Sequence, residues 1–200
     1  MKKQPIGLNN YKKCSKIFIV CFWVMVFFLF NIEEELQMSE YEEGLKLLEE
    51  KFGNGKDNTI SLATIALEPN ADGKPRPVVR TVDACYEDGA FYVSTNGKSN
   101  KMLQIAQNAE VSIATCPEMF TAVGIGENLG WVLDPKNAEI RTKLRKVFAE
   151  WYDMANNEKD ENCCILAIRL TKGTLNINHW EKLYHMDFMN KTVMENGGVF

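Results

Sequence analysis

Apolar residues recur along this chain in two rhythms. After Met38, Tyr41, Leu45, Leu48 and Phe52 fall on one helical face. Ser39 and Glu42 have the spacing of a capping box, and Gly53 supplies a natural stop. From position 58 the rhythm shortens. Residues 58–68 (NTISLATIALE) read as a strand apolar on both faces, and so as a central one. Residues 76–85 and 90–95 read as two strands joined at Asp88-Gly89, a hairpin signal. A further strand follows at 111–116, and 120–133 reads as a longer strand or a hairpin, with Gly124, Gly126 and Gly130 placed for bends or bulges. Residues 163–178 (CCILAIRLTKGTLNIN) form a last long strand or strand pair. Helical faces reappear at Met102, Leu103 and Ala106, and again at Ile140, Leu144, Val147, Phe148 and Trp151. The second of these helices opens at Asp134-Pro135, an N-cap followed by proline at the first helical position, and turns Arg141, Lys143, Arg145 and Lys146 outward as a solvated basic face. Beyond His179 no period is visible.

About six or seven strands with two or three peripheral helices predict a mainly β fold, a closed antiparallel barrel. A parallel doubly wound sheet would need a helix after each strand, and the pattern has none. Gly124-Ile125-Gly126 lacks the strand–helix setting of a dinucleotide fingerprint. Three segments result: an apolar N-terminal segment at 1–37, the barrel domain at 38–178 and a C-terminal tail at 179–200.

Residues 17–30 (IFIVCFWVMVFFLF) belong to neither rhythm. They form an unbroken apolar run behind Lys2, Lys3, Lys12, Lys13 and Lys16. The run is short for a membrane span of about 20 residues. No small-residue cleavage site follows it, since Asn31-Ile32-Glu33-Glu34-Glu35 comes next. It reads either as a membrane anchor or as translated upstream sequence, with the true start at Met38. The second reading is the expected one. Glu33-Glu34-Glu35 requires purine-rich codons like those of a bacterial ribosome-binding site, and a clean helix start follows Met38 at once.

The chain has 200 residues, 46% hydrophobic and 25% charged, with net charge −4. That is enough for one domain with a real core and excludes the basic footprint of a nucleic-acid binder. Without the five lysines and three glutamates that precede Met38, 18 basic and 24 acidic residues remain, a net −6. The six cysteines form no C-x-x-C, and with His179 and His185 as the available imidazoles no metal site is expected. Cys163-Cys164 read as buried strand positions. This cysteine usage suits a reducing cytoplasm.

The stretch most suggestive of chemistry is 91–115, FYVSTNGKSNKMLQIAQNAEVSIAT. A strand ends near Ser94-Thr95, a short loop follows, and a helix opens at Asn100-Lys101 with Lys98 and Lys101 at its start. A helix N-terminus disfavours cations and favours an anion, so lysines gathered there suit a phosphate. Solvated loop lysines are the alternative. Arg80, between Val79 and Val82 in an apolar strand, offers a planar phosphate partner or reaches water from an edge. Trp131, Trp151 and Trp180 are candidates for stacking on a ring or for the core. His179 and His185 read as surface or packing histidines. No nucleophile triad or carboxylate pair is visible.

These residues resemble the pyridoxamine 5'-phosphate oxidase-like family, the FMN-binding split barrels of antiparallel Greek-key type. The resemblance lies in Thr95, Asn96, Ser99, Lys101 and Asn108-Ala109 before Val111, and in Pro77-Val78-Val79-Arg80-Thr81-Val82 on the preceding strand. It covers roughly residues 58–178. Asn100 stands where the family often has an arginine. The resemblance implies FMN held by Arg80, Thr81, Val82, Ser94, Thr95, Asn96, Ser99 and Lys101 in a cleft between the protomers of a homodimer. It also implies an oxidoreductase with a small-molecule substrate and a reduced nicotinamide as possible donor. The tail lacks the Arg-rich ending of vitamin B6 oxidation, so a more general reductase is expected. A non-catalytic flavin- or haem-binding stress or carrier protein is the alternative.

Overall fold

The structure, a computed structural model, describes residues 39–178 and 181–194. Helix α1 (Glu40–Phe52) leads into β1 (Asn58–Ile65), β2 (Pro77–Glu87) and β3 (Ala90–Asn96). Helix α2 (Asn100–Gln107) carries the chain to β4 (Glu110–Thr115) and β5 (Phe120–Trp131). A 3-10 turn (Pro135–Asn137) opens α3 (Ala138–Val147), and the short α4 (Tyr152–Ala155) follows. Strands β6 (Cys163–Ile177), β7 (Lys182–Asp187) and β8 (Thr192–Val193) complete the described chain.

The strands pair antiparallel in the order β3-β2-β1-β4-β5-β6-β7-β8, and β3 pairs again with β6. That second pairing closes the first six strands into a barrel and removes their edges. The barrel is split at β6, whose positions 163–169 pair with β3 and whose positions 172–177 pair with β7. Asp88 and Gly89 both take positive φ, 46° and 76°, the turn that an Asp-Gly hairpin favours. Register shifts in β5 fall at Val123/Gly124 and between Asn128 and Trp131. At the first, a Cβ on Gly124 would lie 2.3 Å from the Arg169 carbonyl oxygen, so only glycine fits the close approach.

Two sequence expectations are corrected. Strand β1 is central but ends at Ile65, and its burial alternates: Asn58, Ile60, Leu62 and Thr64 are buried while Thr59 and Ser61 are exposed. In a closed barrel one face of each strand is the core, so a central strand needs only one apolar face. It is β6 that is buried on both faces at its start. Cys164, Leu166 and Ile168 join the barrel core, while Cys163 and Ile165 join Val132, Leu144, Phe148 and Tyr152 beneath α3. Both cysteines are thus buried strand residues, and burial pushes the Cys164 thiol up to about 11. Finally, the stretch past His179 contains β7 and β8, which bring the strands to eight among the described residues. Their apolar rhythm is hidden by Asp187, a buried carboxylate that accepts from the amides of Met189 and Asn190 in the following turn.

Among the described residues no helix is long and apolar enough to cross a membrane. The apolar run at 17–30, Met38, His179 and Trp180 lie outside the described residues.

Candidate functional site

Strand β3 delivers Ser94, Thr95 and Asn96 to the entrance of α2. Asn96 shapes the connecting loop: its carbonyl accepts from the Ser99 amide at 2.9 Å and its side chain from the Lys98 amide at 2.8 Å. Ser99 is the N-cap of α2, and its carbonyl takes the amides of Met102 and Leu103 at 2.9 and 3.1 Å. Its hydroxyl makes no capping bond; the oxygen is buried and has no partner among the described residues. An unmet buried polar group costs about 1–3 kcal/mol. An oxygen-bearing ligand at this helix end would meet it, together with the unclaimed amides of the first turn.

Ser94, Thr95, Asn96, Ser99 and Lys101 line one cavity of about 390 Å³, shared with Trp151, Asn156, Asp160 and Cys163. Arg80, Thr81 and Val82 are not among the lining residues. Thr81 is exposed and pairs with Ser61, whereas Val82 packs against the barrel core. Arg80 is half-buried opposite Leu62 on β1. Its Nη1 donates to the Leu62 carbonyl at 3.2 Å and to Thr64 Oγ1 at 2.7 Å, and its Nη2 to Gln104 Oε1 at 2.7 Å. Every one of these acceptors is neutral.

Among the described residues neither Arg80 nor Lys101 makes an ion pair. Burial first, and the Arg80 charge second, push the Lys101 ammonium below its usual value. Burial acts on the Arg80 guanidinium in the same direction. Two desolvated cations that feel each other, neither paired with a carboxylate among the described residues, form an arrangement that an anion would relieve. Thr64 and Gln104 escaped sequence reasoning. The available signals were the inward position of Thr64 on β1 and the place of Gln104 one turn beyond Lys101 on α2.

The other side of the cavity comes from the segment after α3, and Glu158 anchors it. Arg141 forks onto its carboxylate at 2.7 and 2.6 Å, the Tyr152 hydroxyl donates at 3.1 Å, and Arg145 lies at 3.3 Å. Trp131 Nε1 donates to the Glu158 carbonyl at 2.8 Å. The basic face of α3 is therefore not simply solvated: Arg141 and Arg145 hold this wall, and Lys143 pairs with Glu87 and Glu139. Ser94 Oγ donates to Asn156 Oδ1 at 2.7 Å and ties the wall to β3. Trp151 stacks on Phe148 with ring centroids 4.6 Å apart and donates to Asp57 at 3.0 Å. Trp131 is engaged with Glu158. The ring of His185 lies 3.0 Å from Thr174 Oγ1, outside the cavity lining.

The hydrogen bonds from Arg141 hold the Glu158 carboxyl down at about 2, well below the usual 4.5. A carboxylate lowered on folding stabilises the fold above its unfolded value and loses that contribution as pH falls toward the folded one. Stability is therefore expected to fall between about pH 4.5 and 2. Glu158→Gln should flatten that slope in denaturant titrations across the acid range. An unchanged slope would show that Glu158 is not the group responsible.

No family model matches the sequence, and no curated protein matches it either. Solved structures do resemble it. A haem-binding protein from Mycobacterium smegmatis superposes with a TM-score of 0.52 at 14% identity, covering 78% of this chain and 61% of that one. The chain thus spans less than two thirds of that protein's length. A pyridoxamine 5'-phosphate oxidase-related, FMN-binding protein from Nostoc punctiforme gives 0.48 at 15% identity, covering 76% of this chain and 93% of that one. General stress protein 26 from Bacillus anthracis gives 0.47 at 17% identity, covering 66% and 92%. At such identities likeness is a matter of fold, and the two lower scores add nothing to it. The closed six-stranded barrel, parted at β6 and carrying peripheral helices, is the split barrel that the sequence resembles, the fold of the pyridoxamine 5'-phosphate oxidase-like proteins.

Proposed function

We propose that this chain binds FMN, with the phosphate at the start of α2, and that it works as an FMN-dependent oxidoreductase. The observation that carries the reading is the pair Lys101 and Arg80, two desolvated cations without an ion-pair partner among the described residues, together with the unmet Ser99 hydroxyl in the cavity that Lys101 lines. These groups fit a phosphate, which offers several acceptor oxygens and up to two negative charges. Lys101, Ser99 and the unclaimed amides of α2 would hold it, with Arg80 adding charge from β2. Thr95, Ser94 and Asn96 offer polar contacts along the same cavity. A bound flavin would supply the hydride and electron chemistry, while the protein binds and orients it and keeps water out.

Val79 and Leu103, 69% and 44% exposed, follow or precede these residues on β2 and α2. Exposed apolar side chains on the two elements that carry the cations support a homodimer in which a second protomer covers the ligand. A small-molecule substrate and a reduced nicotinamide donor complete the proposal. The location proposed is cytoplasmic. A haem carrier is the second reading, favoured by the likeness to the mycobacterial haem-binding protein. Against it, His185, the imidazole among the described residues, is placed against Thr174 and outside the cavity.

The purified full chain, incubated with excess FMN and desalted, is expected to keep two flavin absorbance bands and to sediment as a dimer. Bleaching of those bands by a reduced nicotinamide would support a reductase over a carrier. A Soret band would favour the haem reading, and a protein without either chromophore would reject both.

A further inference from the structure

Gln104 is 8% exposed, on the same face of α2 as Lys101. Its Oε1 accepts two bonds, one from Thr64 Oγ1 at 2.6 Å and one from Arg80 Nη2 at 2.7 Å. Thr64 Oγ1 in turn accepts from Arg80 Nη1 at 2.7 Å. The three side chains close a ring that joins β1, β2 and α2. A guanidinium has five donors in a rigid plane. The ring and the Leu62 carbonyl fix the orientation of that plane and leave Nε–H and one Nη2–H unclaimed among the described residues.

We propose that Gln104 is a positioning residue that presents Arg80 to the ligand phosphate and, being neutral, keeps the guanidinium charge available for it. This rests on the phosphate reading above. A buried arginine is commonly met by a carboxylate, which would orient it equally well and neutralise it in the same stroke. An amide oxygen provides the orientation without the neutralisation. The uncompensated charge reaches Lys101, whose ammonium is held down in part by Arg80. The ring therefore maintains a positive field at the start of α2, and an anion is what such a field selects.

The test titrates FMN and riboflavin against the full chain, Gln104→Glu and Thr64→Val, and follows thermal unfolding of each without ligand. Gln104→Glu can accept the same two bonds but pairs with Arg80. It is expected to weaken FMN binding by roughly tenfold, to leave riboflavin binding within about twofold, and to melt no lower than the wild type. Thr64→Val keeps the shape but removes both of its bonds in the ring, and, acting on the ligand only through the aim of Arg80, should reduce FMN affinity by about 2- to 12-fold. Unchanged FMN affinity in Gln104→Glu would overturn the proposal. Parallel losses of FMN and riboflavin would overturn it too, because they would make Gln104 a support of the fold. A wild type that binds both flavins equally would instead reject the phosphate site itself, and with it the role of Gln104.

Discussion

Lys101→Ala is expected to weaken FMN binding by about 10- to 150-fold while riboflavin binding hardly changes. The range follows from a charge-assisted hydrogen bond of roughly 1.5–3 kcal/mol, with each 1.4 kcal/mol a factor of ten. Riboflavin lacks the phosphate, so it reports everything about the cavity except the charge–charge contact. A second readout separates ligand binding from structural support. Lys101 lies at a helix N-terminus, desolvated and repelled by Arg80, and makes no ion pair among the described residues. Its lowered ammonium pKa is a folding cost at neutral pH, relieved only as pH rises from its folded value toward the usual 10.5. The ligand-free alanine variant should therefore melt no lower than the wild type, whereas a lysine that supports the fold would leave a less stable protein. Equal losses for FMN and riboflavin would remove Lys101 from phosphate recognition, and no loss for either would leave it without a part in flavin binding. Arg80→Ala is a less clean probe, since it also strips Thr64, Gln104 and the Leu62 carbonyl of a shared donor. The double variant should fall short of additivity, because both cations act on one group.

The contrast between Lys101 and Arg80 shows what the sequence could tell. Ser94, Thr95, Asn96, Ser99 and Lys101 are close in the chain, and a strand–loop–helix pattern was enough to bring them to one cavity. The Asp88-Gly89 hairpin and the glycines of β5 were legible for the same reason: each expresses a local backbone demand. The setting of Arg80 was not local. It depends on Thr64 and Gln104, 16 and 24 residues away, and no period or motif marks a hydrogen-bonded ring among three elements. Glu158 was hidden likewise, since its partners Arg141 and Arg145 read as the wet side of an amphipathic helix. The two-faced burial of β6 comes from α3 packing outside the barrel, a tertiary fact that the strand's own composition only hints at.

Phe52→Ala is expected to destabilise the protein by about 3–5 kcal/mol, the usual range for deleting a buried phenylalanine. Phe52 is 1% exposed at the end of α1, and its ring lies 6.1 Å from Tyr86, 5.5 Å from Phe91 and 5.4 Å from Phe120. Those neighbours sit on β2, β3 and β5, so one side chain ties the helix to strands from both halves of the barrel. The helical spacing of Tyr41, Leu45, Leu48 and Phe52 announced this face, with one error: Gly44 is buried and Leu45 only partly so. A Cβ at Gly44 would come within 3.0 Å of the Met186 side chain, so α1 lies close against β7, a strand whose rhythm was hidden. A domain of this size loses roughly 2–4 °C of melting temperature per kcal/mol, so the variant should melt roughly 6–20 °C lower. Met189→Ala, at a 72% exposed position, is the control and should change little. The loss should appear equally with and without FMN, because Phe52 supports the barrel and does not line the proposed flavin cavity. A loss below about 1 kcal/mol would mean that α1 does not seat its phenylalanine in the barrel and that the core is smaller than the contacts imply.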